Sequence, residues 1–180
     1  HQGHSCLVNQ REVGRHTQSF NNALRSALRE DPDVVLVGEM RDVETISLAL
    51  TAAETGHLVF GTLHTSSAAK TIDRIIDVFP AGEKEMVRAM LSESLEGVIA
   101  QRLLKKPEGG RVAAYEIMIG TPAIRNLIRE AKVPQIYGMI QTGRDVGMMT
   151  MDQSLDDLVS RNLVTRQTAR TLAVDQSKFE

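Results

Sequence analysis

The amino-acid sequence predicts an α/β fold built around a parallel sheet, and two observations support this. Residues 34–37 and 58–60 are short, continuous apolar runs rich in β-branched or aromatic side chains, which is typical of buried, parallel-type strands rather than half-exposed ones. Helical patterns occur before, between and after these runs, at 20–28, 43–53 and 72–79. This alternation of helix and strand is that of a parallel sheet whose strands are joined by crossover helices.

Local signals place the ends of these first elements. Asp31 and Pro32 end the first helix, and Asp42 caps the second, which closes at Gly56. Pro80 ends the third helix. Before all of them, residues 6–13 are expected to form another, more exposed strand.

After Pro80 the pattern changes. We expect a long helix over residues 83–104, a turn at 105–110 and a strand at 112–119. The inward side chains of that helix are predicted to be Val87, Met90, Leu91, Leu95, Val98, Ile99 and Leu103. Four short helices follow, marked by Thr121 with Pro122, by Pro134 and Gly143, by a capping box of Thr150 with Gln153, and by Thr165. We therefore expect an α/β core at residues 1–120 and a helical subdomain at 121–180.

Composition excludes several classes of protein. The chain has 180 residues, 42% of them hydrophobic, which is enough for a core without metals or disulfide bonds. Its net charge of −2 provides no basic field for nucleic acid or anionic lipid, and six aromatic residues (4 Phe, 2 Tyr) argue against base stacking. Cys6 is the only cysteine, and no apolar run approaches the roughly 18 residues of a spanning helix. These features predict a soluble, cytosolic protein that does not bind nucleic acid.

Two ionisable residues follow the predicted strands. Glu39 comes directly after the first apolar run and its glycine, and His64 comes after the second. Ligands of open α/β sheets bind outside the carboxyl ends of the strands, so Glu39 could hold Mg²⁺ through water or polarise an attacking water, and His64 could bind a terminal phosphate. Position alone leaves the alternative that Glu39 is a capping or ion-pair residue beside Arg41 and that His64 is a solvated loop residue.

A zinc site is not expected. His57 and His64 are separated by about 23 Å of extended strand and lie on opposite faces of it. Cys6 has no neighbour at a metal-ligand spacing.

Three segments occur in the order of a known family pattern. Residues 34–42, Val-Val-Leu-Val-Gly-Glu-Met-Arg-Asp, resemble the atypical Walker B segment of secretion-type ATPases, and residues 55–65 resemble their His box. Residues 123–130 resemble the C-terminal motif of the retraction ATPases of type IV pili, and residues 9–13 and 23–32 are similar to the same family. The chain is thereby identified as resembling the C-terminal half of such a motor.

The resemblance implies a RecA-like P-loop NTPase core, here the C-terminal part of its parallel sheet with flanking helices, followed by the small helical subdomain. It implies a hexamer that uses ATP and Mg²⁺ to retract pili in twitching motility. The expected partners are further motor subunits and an inner-membrane platform protein. The expected location is the cytoplasm, peripheral at the inner face of the bacterial inner membrane.

The resemblance also implies roles for individual residues. Glu39 is the Walker B acid, which reaches Mg²⁺ through water, so no residue is expected to bind metal directly. Glu39 and His64 are the implied catalytic residues, and Gly38, Glu39, His57 and His64 would bind or sense the nucleotide. Arg11 is a candidate phosphate contact across a subunit boundary. The retraction motif comprises Ala123, Ile124, Arg125, Asn126, Leu127, Ile128, Arg129 and Glu130.

The motif has a structural alternative. Ile124, Leu127 and Ile128 have the spacing of core contacts on one helical face. In that case Arg125, Arg129 and Glu130 would be the exposed residues available to a partner.

The 180 residues contain no G-x-x-x-x-G-K-[ST] loop, which cradles phosphates in P-loop proteins. We therefore expect the isolated chain to bind ATP poorly and to be inactive, whereas the intact protein is an ATPase. One alternative is a non-catalytic half-protein that binds full-length motor subunits or the pilus platform. A second alternative is an accessory retraction ATPase or a type II secretion ATPase. Relatives of the type II secretion kind carry a four-cysteine zinc site, and the single cysteine of this chain argues against them.

Overall fold

The computed structural model describes residue 3 and residues 5–180. The chain forms two compact units, the first ending at Leu63 and the second running from His64 to Glu180. The helices are α1 Phe20–Ala27, α2 Val43–Glu54, α3 Ala68–Asp77, α4 Lys84–Ser94, α5 Pro122–Arg129, α6 Ile136–Thr142, α7 Met151–Ser160 and α8 Arg166–Arg170. The strands are β1 Val34–Val37, β2 Leu58–Gly61, β3 Gly97–Lys105 and β4 Arg111–Ile119. Short 3-10 helices lie at Ala81–Glu83, Val133–Gln135, Arg144–Val146 and Gln176–Phe179.

The first unit confirms the predicted parallel pair. β1 and β2 run parallel, with Val34 opposite Leu58 and Val37 opposite Gly61, and α2 is the crossover between them. α2 begins after its predicted cap Asp42 and ends at Glu54, close to the predicted stop at Gly56. α1 begins at Phe20 as predicted but ends at Ala27, with Leu28 as its C-cap, before the expected stop at Asp31.

The expectation that these strands are buried on both faces is wrong. Val35 and Val37 pack with Leu24 of α1 in a small core, but the alternate side chains point the other way. The exposed set consists of Val34, Leu36, Leu58 and Phe60. Side chains alternate along a strand, and only one face of this pair is covered by α1 and α2.

The predicted strand at residues 6–13 is also wrong. These residues are exposed, and the β-type pairing of this segment is an isolated bridge between Val13 and Thr17. Gly14, with φ of +88°, starts a tight turn in which its N–H donates to the Thr17 carbonyl at 2.8 Å. The chain therefore folds back on itself locally instead of extending along a partner strand.

In the second unit, the long helix expected over residues 83–104 is wrong. α4 ends at Ser94, Leu95 is already extended (ψ 117°), and residues 97–105 form β3, antiparallel to β4. The apolar spacing fitted a helix because this segment is apolar at most positions. Ile99 and Leu103, expected to be inward, are 70% and 58% exposed, while Ala100 and Leu104 are buried.

The strand expected at 112–119 and the four short helices after it are confirmed. Thr121, Thr150 and Thr165 each accept a backbone N–H at the start of their helix, and Gln153 completes the predicted capping box. One core joins the hairpin to the last helices, formed by Leu104, Ala114, Met151, Leu155, Leu158, Val164, Ala169 and Phe179. The division between residues 1–120 and 121–180 stays a prediction.

The alternation of β3 provides a direct test of its register. We expect Leu104→Ala to lower the free energy of unfolding by about 2–4 kcal/mol, because it leaves a cavity in the core of the second unit. Leu103→Ala, its matched control, is expected to change it by less than about 0.5 kcal/mol, because that side chain faces solvent. Urea unfolding of both variants measures this, and a larger loss for Leu103→Ala would restore the helical interpretation.

Candidate functional site

The carboxyl ends of β1 and β2 are tied together beyond the last paired residues. The Thr62 hydroxyl donates to the Gly38 carbonyl, and the Met40 N–H donates to the Thr62 carbonyl at 3.0 Å. Glu39 lies between these two contacts, so the backbone on both sides of it is held to the neighbouring strand. This position, just past a parallel strand, is where open α/β sheets bind ligands.

Glu39 forms an ion pair with Arg41, which is the alternative that position alone left open. The Glu39 side chain is 28% exposed and that of Arg41 is 73% exposed. The hydrogen bond from Arg41 to this carboxylate raises the pKa of the guanidinium. Because an exposed pair is held weakly, the Glu39 carboxylate can exchange Arg41 for another cation.

A solvent-open depression of about 480 Å³ adjoins Glu39. Its lining consists of Phe20, Gly38, Glu39, Arg41, Asp42 and Thr45. The sequence had not indicated Phe20 or Thr45 as site residues, since Phe20 sits on the first helix and Thr45 inside the second. Asp42 had been expected only as a cap.

Asp42 caps α2 as predicted. Its Oδ1 accepts the Thr45 N–H and its Oδ2 accepts the Thr45 hydroxyl, both at 2.8 Å. These bonds, chiefly the one from the Thr45 N–H, lower the pKa of the Asp42 carboxyl. The amino end of α2 therefore starts beside Glu39 with its cap already occupied.

His57 and His64 have different surroundings. The His57 ring Nδ1 lies 3.0 Å from the Ala52 carbonyl, which assigns the proton to Nδ1 and makes the ring a cap on the last turn of α2. His64, which is exposed, opens the second unit three residues after β2. The geometry gives His57 a structural contact, and the sensing roles of both histidines stay predictions.

The segment after His64 is fixed to the first turn of α3. Ser67 accepts the Lys70 N–H at 3.2 Å, and the Thr65 and Thr71 hydroxyls lie 2.7 Å apart. The Lys70 ammonium donates to the Ser66 hydroxyl at 3.1 Å. Every residue between His64 and α3 is thus hydrogen-bonded to that helix.

Arg11, predicted to contact phosphate across a subunit boundary, is engaged within the first unit. Its guanidinium pairs with Glu30 and donates to the Ala23 carbonyl at 3.2 Å. A phosphate contact would require Arg11 to exchange Glu30 for the phosphate, so this role stays a prediction.

The predicted retraction motif, residues 123–130, lies in α5 and its C-cap. Ile124 and Ile128 are fully buried and Leu127 is half-buried, which confirms the core contacts that the spacing predicted. The exposed residues of the motif are Ala123, Asn126, Arg129 and Glu130. Only this outer face remains available to a partner.

The expectation that Arg125 is exposed is wrong. Its guanidinium donates to the carbonyls of Gly120 at 2.7 Å, of Ser92 at 3.3 Å and of Glu93, and to the Glu96 carboxylate at 2.9 Å. Ser92 and Glu93 lie in the last turn of α4, whose carbonyls have no helical partner. Arg125 therefore caps α4 from α5.

In the part of the chain that the structure describes, the residues near the strand ends offer a nucleotide's magnesium ion a carboxylate, that of Glu39, but no complete set of protein ligands. Among the described residues, no group of three or more His, Cys, Asp or Glu side chains could hold a metal ion. Mg²⁺ commonly keeps several waters and binds one or two carboxylates plus phosphate oxygens, so a single partly exposed carboxylate such as Glu39 is enough on the side of the protein. In addition, no helix in the described part of the chain has the length and apolarity to cross a membrane.

Comparison with known proteins identifies a family. The profile described as "Type II/IV secretion system protein" matches residues 7–109, more than half of the chain. The type IV pilus retraction ATPase PilT of Pseudomonas aeruginosa is 70% identical over 99% of this chain and 52% of its own length. The twitching motility protein of Neisseria gonorrhoeae is 68% identical over 96% of this chain and 46% of its own length. The chain thus spans about half the length of the curated relatives it matches.

Solved structures agree with the predicted fold class. A crystal structure of the pilus retraction motor PilT with bound ADP superposes with a TM-score of 0.87 at 55% identity, covering 96% of this chain and 48% of that one. The ATPase DotB of Legionella pneumophila superposes with a TM-score of 0.83 at 29% identity, over 95% of this chain and 46% of that one. The α/β ATPase fold is therefore confirmed.

The capping role of Arg125 predicts its effect on stability. We expect Arg125→Ala to lower the free energy of unfolding by about 2–3 kcal/mol, because it removes charge-assisted hydrogen bonds from carbonyls at the end of α4. Arg129→Ala on the exposed face is the matched control and should stay within about 0.5 kcal/mol of the unsubstituted protein. Urea unfolding measures both, and equal stability of the two variants would contradict the cap.

Proposed function

The chain belongs to the type II/IV secretion system protein family, and from this premise we propose that it is part of an ATP-hydrolysing motor subunit that powers retraction of type IV pili. The observation that carries the proposal is Glu39 at the carboxyl edge of a parallel strand pair, beside an open depression and inside the segment that matches the family. The 70% identity to a retraction ATPase over nearly the whole chain supports this choice of motor.

Within this proposal the residues of the chain have separate tasks. Bound Mg²⁺ would neutralise charge on the transferred phosphate and hold water near it. The Glu39 carboxylate would exchange Arg41 for that hydrated ion, orient the attacking water and accept its proton, while the Gly38 backbone lines the approach. His64 would hydrogen-bond the terminal phosphate, and His57 would hold the end of α2 while that contact forms.

The proposal extends to assembly. We infer that residues 1–120 are the C-terminal part of a RecA-like core and that residues 121–180 are a helical subdomain. The motor is proposed to be a hexamer, with Arg11 reaching a neighbour's phosphate, and to act at the inner face of the bacterial inner membrane on a platform protein. The support for these points is the similarity of the chain to a pilus retraction ATPase and to a pilus retraction motor of known structure.

The isolated 180 residues are a different case. They contain no G-x-x-x-x-G-K-[ST] loop, so we propose that by themselves they bind ATP poorly and hydrolyse almost none. Activity therefore has to be assayed on the protein at its natural length.

The acid role of Glu39 has a direct test. We expect Glu39→Gln to lower kcat for ATP by at least about 100-fold and to leave nucleotide affinity within about threefold, because the amide oxygen can still accept hydrogen bonds from water on the magnesium ion but cannot take up a proton. Steady-state hydrolysis and fluorescent-nucleotide titration of the protein at its natural length measure these. Glu54→Gln, an exposed glutamate at the end of α2, is the control. Unchanged turnover in Glu39→Gln would remove Glu39 from this role.

The outer face of α5 has its own test. We expect Arg129→Ala to leave ATP hydrolysis within about twofold, because its side chain is exposed and away from the buried face of the helix. Pilus retraction, scored as twitching of cells that carry the variant, should fall by more than half if this face transmits force. Loss of both activities together would mean that the residue supports the fold instead.

A further inference from the structure

A buried carboxylate on β4 accepts a hydrogen bond from the start of α3. Glu116 is 2% exposed, and its Oε1 accepts the backbone N–H of Ala68 at 2.7 Å, across 48 residues of sequence. Ala68 is the first residue of α3, where N–H groups have no helical acceptor and the helix dipole is positive. A charge buried this deeply is costly unless it is bonded, so the contact fixes the amino end of α3 to β4.

The amino end of α3 leads directly to His64. Thr65, Ser66 and Ser67 are each hydrogen-bonded to the first turns of α3, as described above. Any shift of α3 along its axis would carry these residues, and the His64 backbone, with it. The contact between Glu116 and Ala68 therefore lies at the end of α3 that leads to His64.

The other end of β4 leads directly to α5. β4 ends at Ile119, and Gly120 and the cap Thr121 connect it to α5. Gly120 packs so tightly that an added Cβ would lie 2.1 Å from the Leu95 carbonyl oxygen. Arg125 also donates to the Gly120 carbonyl. The connection between β4 and α5 is therefore held both by close packing and by a hydrogen bond.

We propose that Glu116 is a positioning residue that acts through His64: it holds the phosphate-sensing segment in register with β4 and, through Gly120, with α5. The proposal rests on the proposed function, because it assigns His64 a place at the nucleotide. Glu116 itself touches neither phosphate nor water in this role. Its effect on turnover is carried by one hydrogen bond to the start of α3.

The chain offers a matched control in Asp152. This carboxylate is also 2% exposed and also accepts backbone N–H groups, those of Val174 at 2.7 Å and Asp175 at 2.9 Å. These bonds hold the C-terminal segment at Val174 and Asp175 and do not involve α3. Substituting Asp152 removes a buried charge of the same kind from the same unit.

The test uses the protein at its natural length. We expect Glu116→Ala to lower kcat by about 10- to 100-fold with KM for ATP within twofold, because a misplaced group costs rate without costing binding. Glu116→Gln, whose amide oxygen can still accept from Ala68, should keep kcat within about threefold. Asp152→Asn should lower the melting temperature and leave kcat within about twofold.

A double-mutant cycle decides whether Glu116 works through His64. In the His64→Ala background, adding Glu116→Ala should change kcat by less than about twofold, because the route is already lost. Multiplied losses, an unchanged kcat in His64→Ala, or a Glu116→Gln variant as slow as Glu116→Ala would each overturn the proposal. If Glu116→Ala does not fold, the shorter Glu116→Asp replaces it in the cycle with the same criteria.

Glu39→Gln in the same assay separates this proposal from the function it rests on. Wild-type turnover in Glu39→Gln would mean that the proposed function fails. Loss of turnover in Glu39→Gln with a wild-type kcat in Glu116→Ala would overturn the positioning role alone.

Discussion

The parallel pairing of β1 with β2 is the constraint on which the candidate site depends. Two parallel strands cannot be joined by a tight turn, so the chain must leave β1, cross over as α2 and return. It follows that α2 starts at the carboxyl edge of the pair, where Asp42 caps it. Glu39 lies between the end of β1 and that cap, so the backbone position of Glu39 is constrained from both sides. Position, local backbone and solvent access at this residue all follow from one pairing.

Local signals were sufficient where the deciding contacts are local. The caps at Asp42, Thr121 and Thr150 each bond a backbone N–H three residues on, so a short window of sequence contains both partners. The carboxyl-edge position of Glu39 was predictable for a similar reason, since it depends only on a strand ending there. β3 was not predictable in this way. Its segment is apolar at most positions, and only pairing with β4 selects a strand over a helix.

The role of Arg125 shows a second limit of sequence. Two of its acceptors, the carbonyls of Ser92 and Glu93, lie 33 and 32 residues earlier at the end of another helix, and a carbonyl has no signature in the sequence. The same holds for Glu116, whose partner is a backbone N–H 48 residues away. Charged side chains that satisfy the ends of helices distant in the sequence are therefore not found by motif searches. The sequence shows that Arg125 and Glu116 are charged, but the backbone groups that they bind are determined by the fold.

Glu39 and Glu116 illustrate how burial separates two uses of one side-chain type. Glu116 is almost fully buried and bonded to a backbone atom, so exchanging its partner would expose an uncompensated charge to an apolar interior. Glu39 is partly exposed, and its partner Arg41 is more exposed still, so solvent can replace either group during exchange. A carboxylate that must meet an incoming cation needs the second environment, and one that must keep a helix in place needs the first. This difference in solvent access, rather than in residue type, is what favours a chemical task for Glu39 and a mechanical one for Glu116.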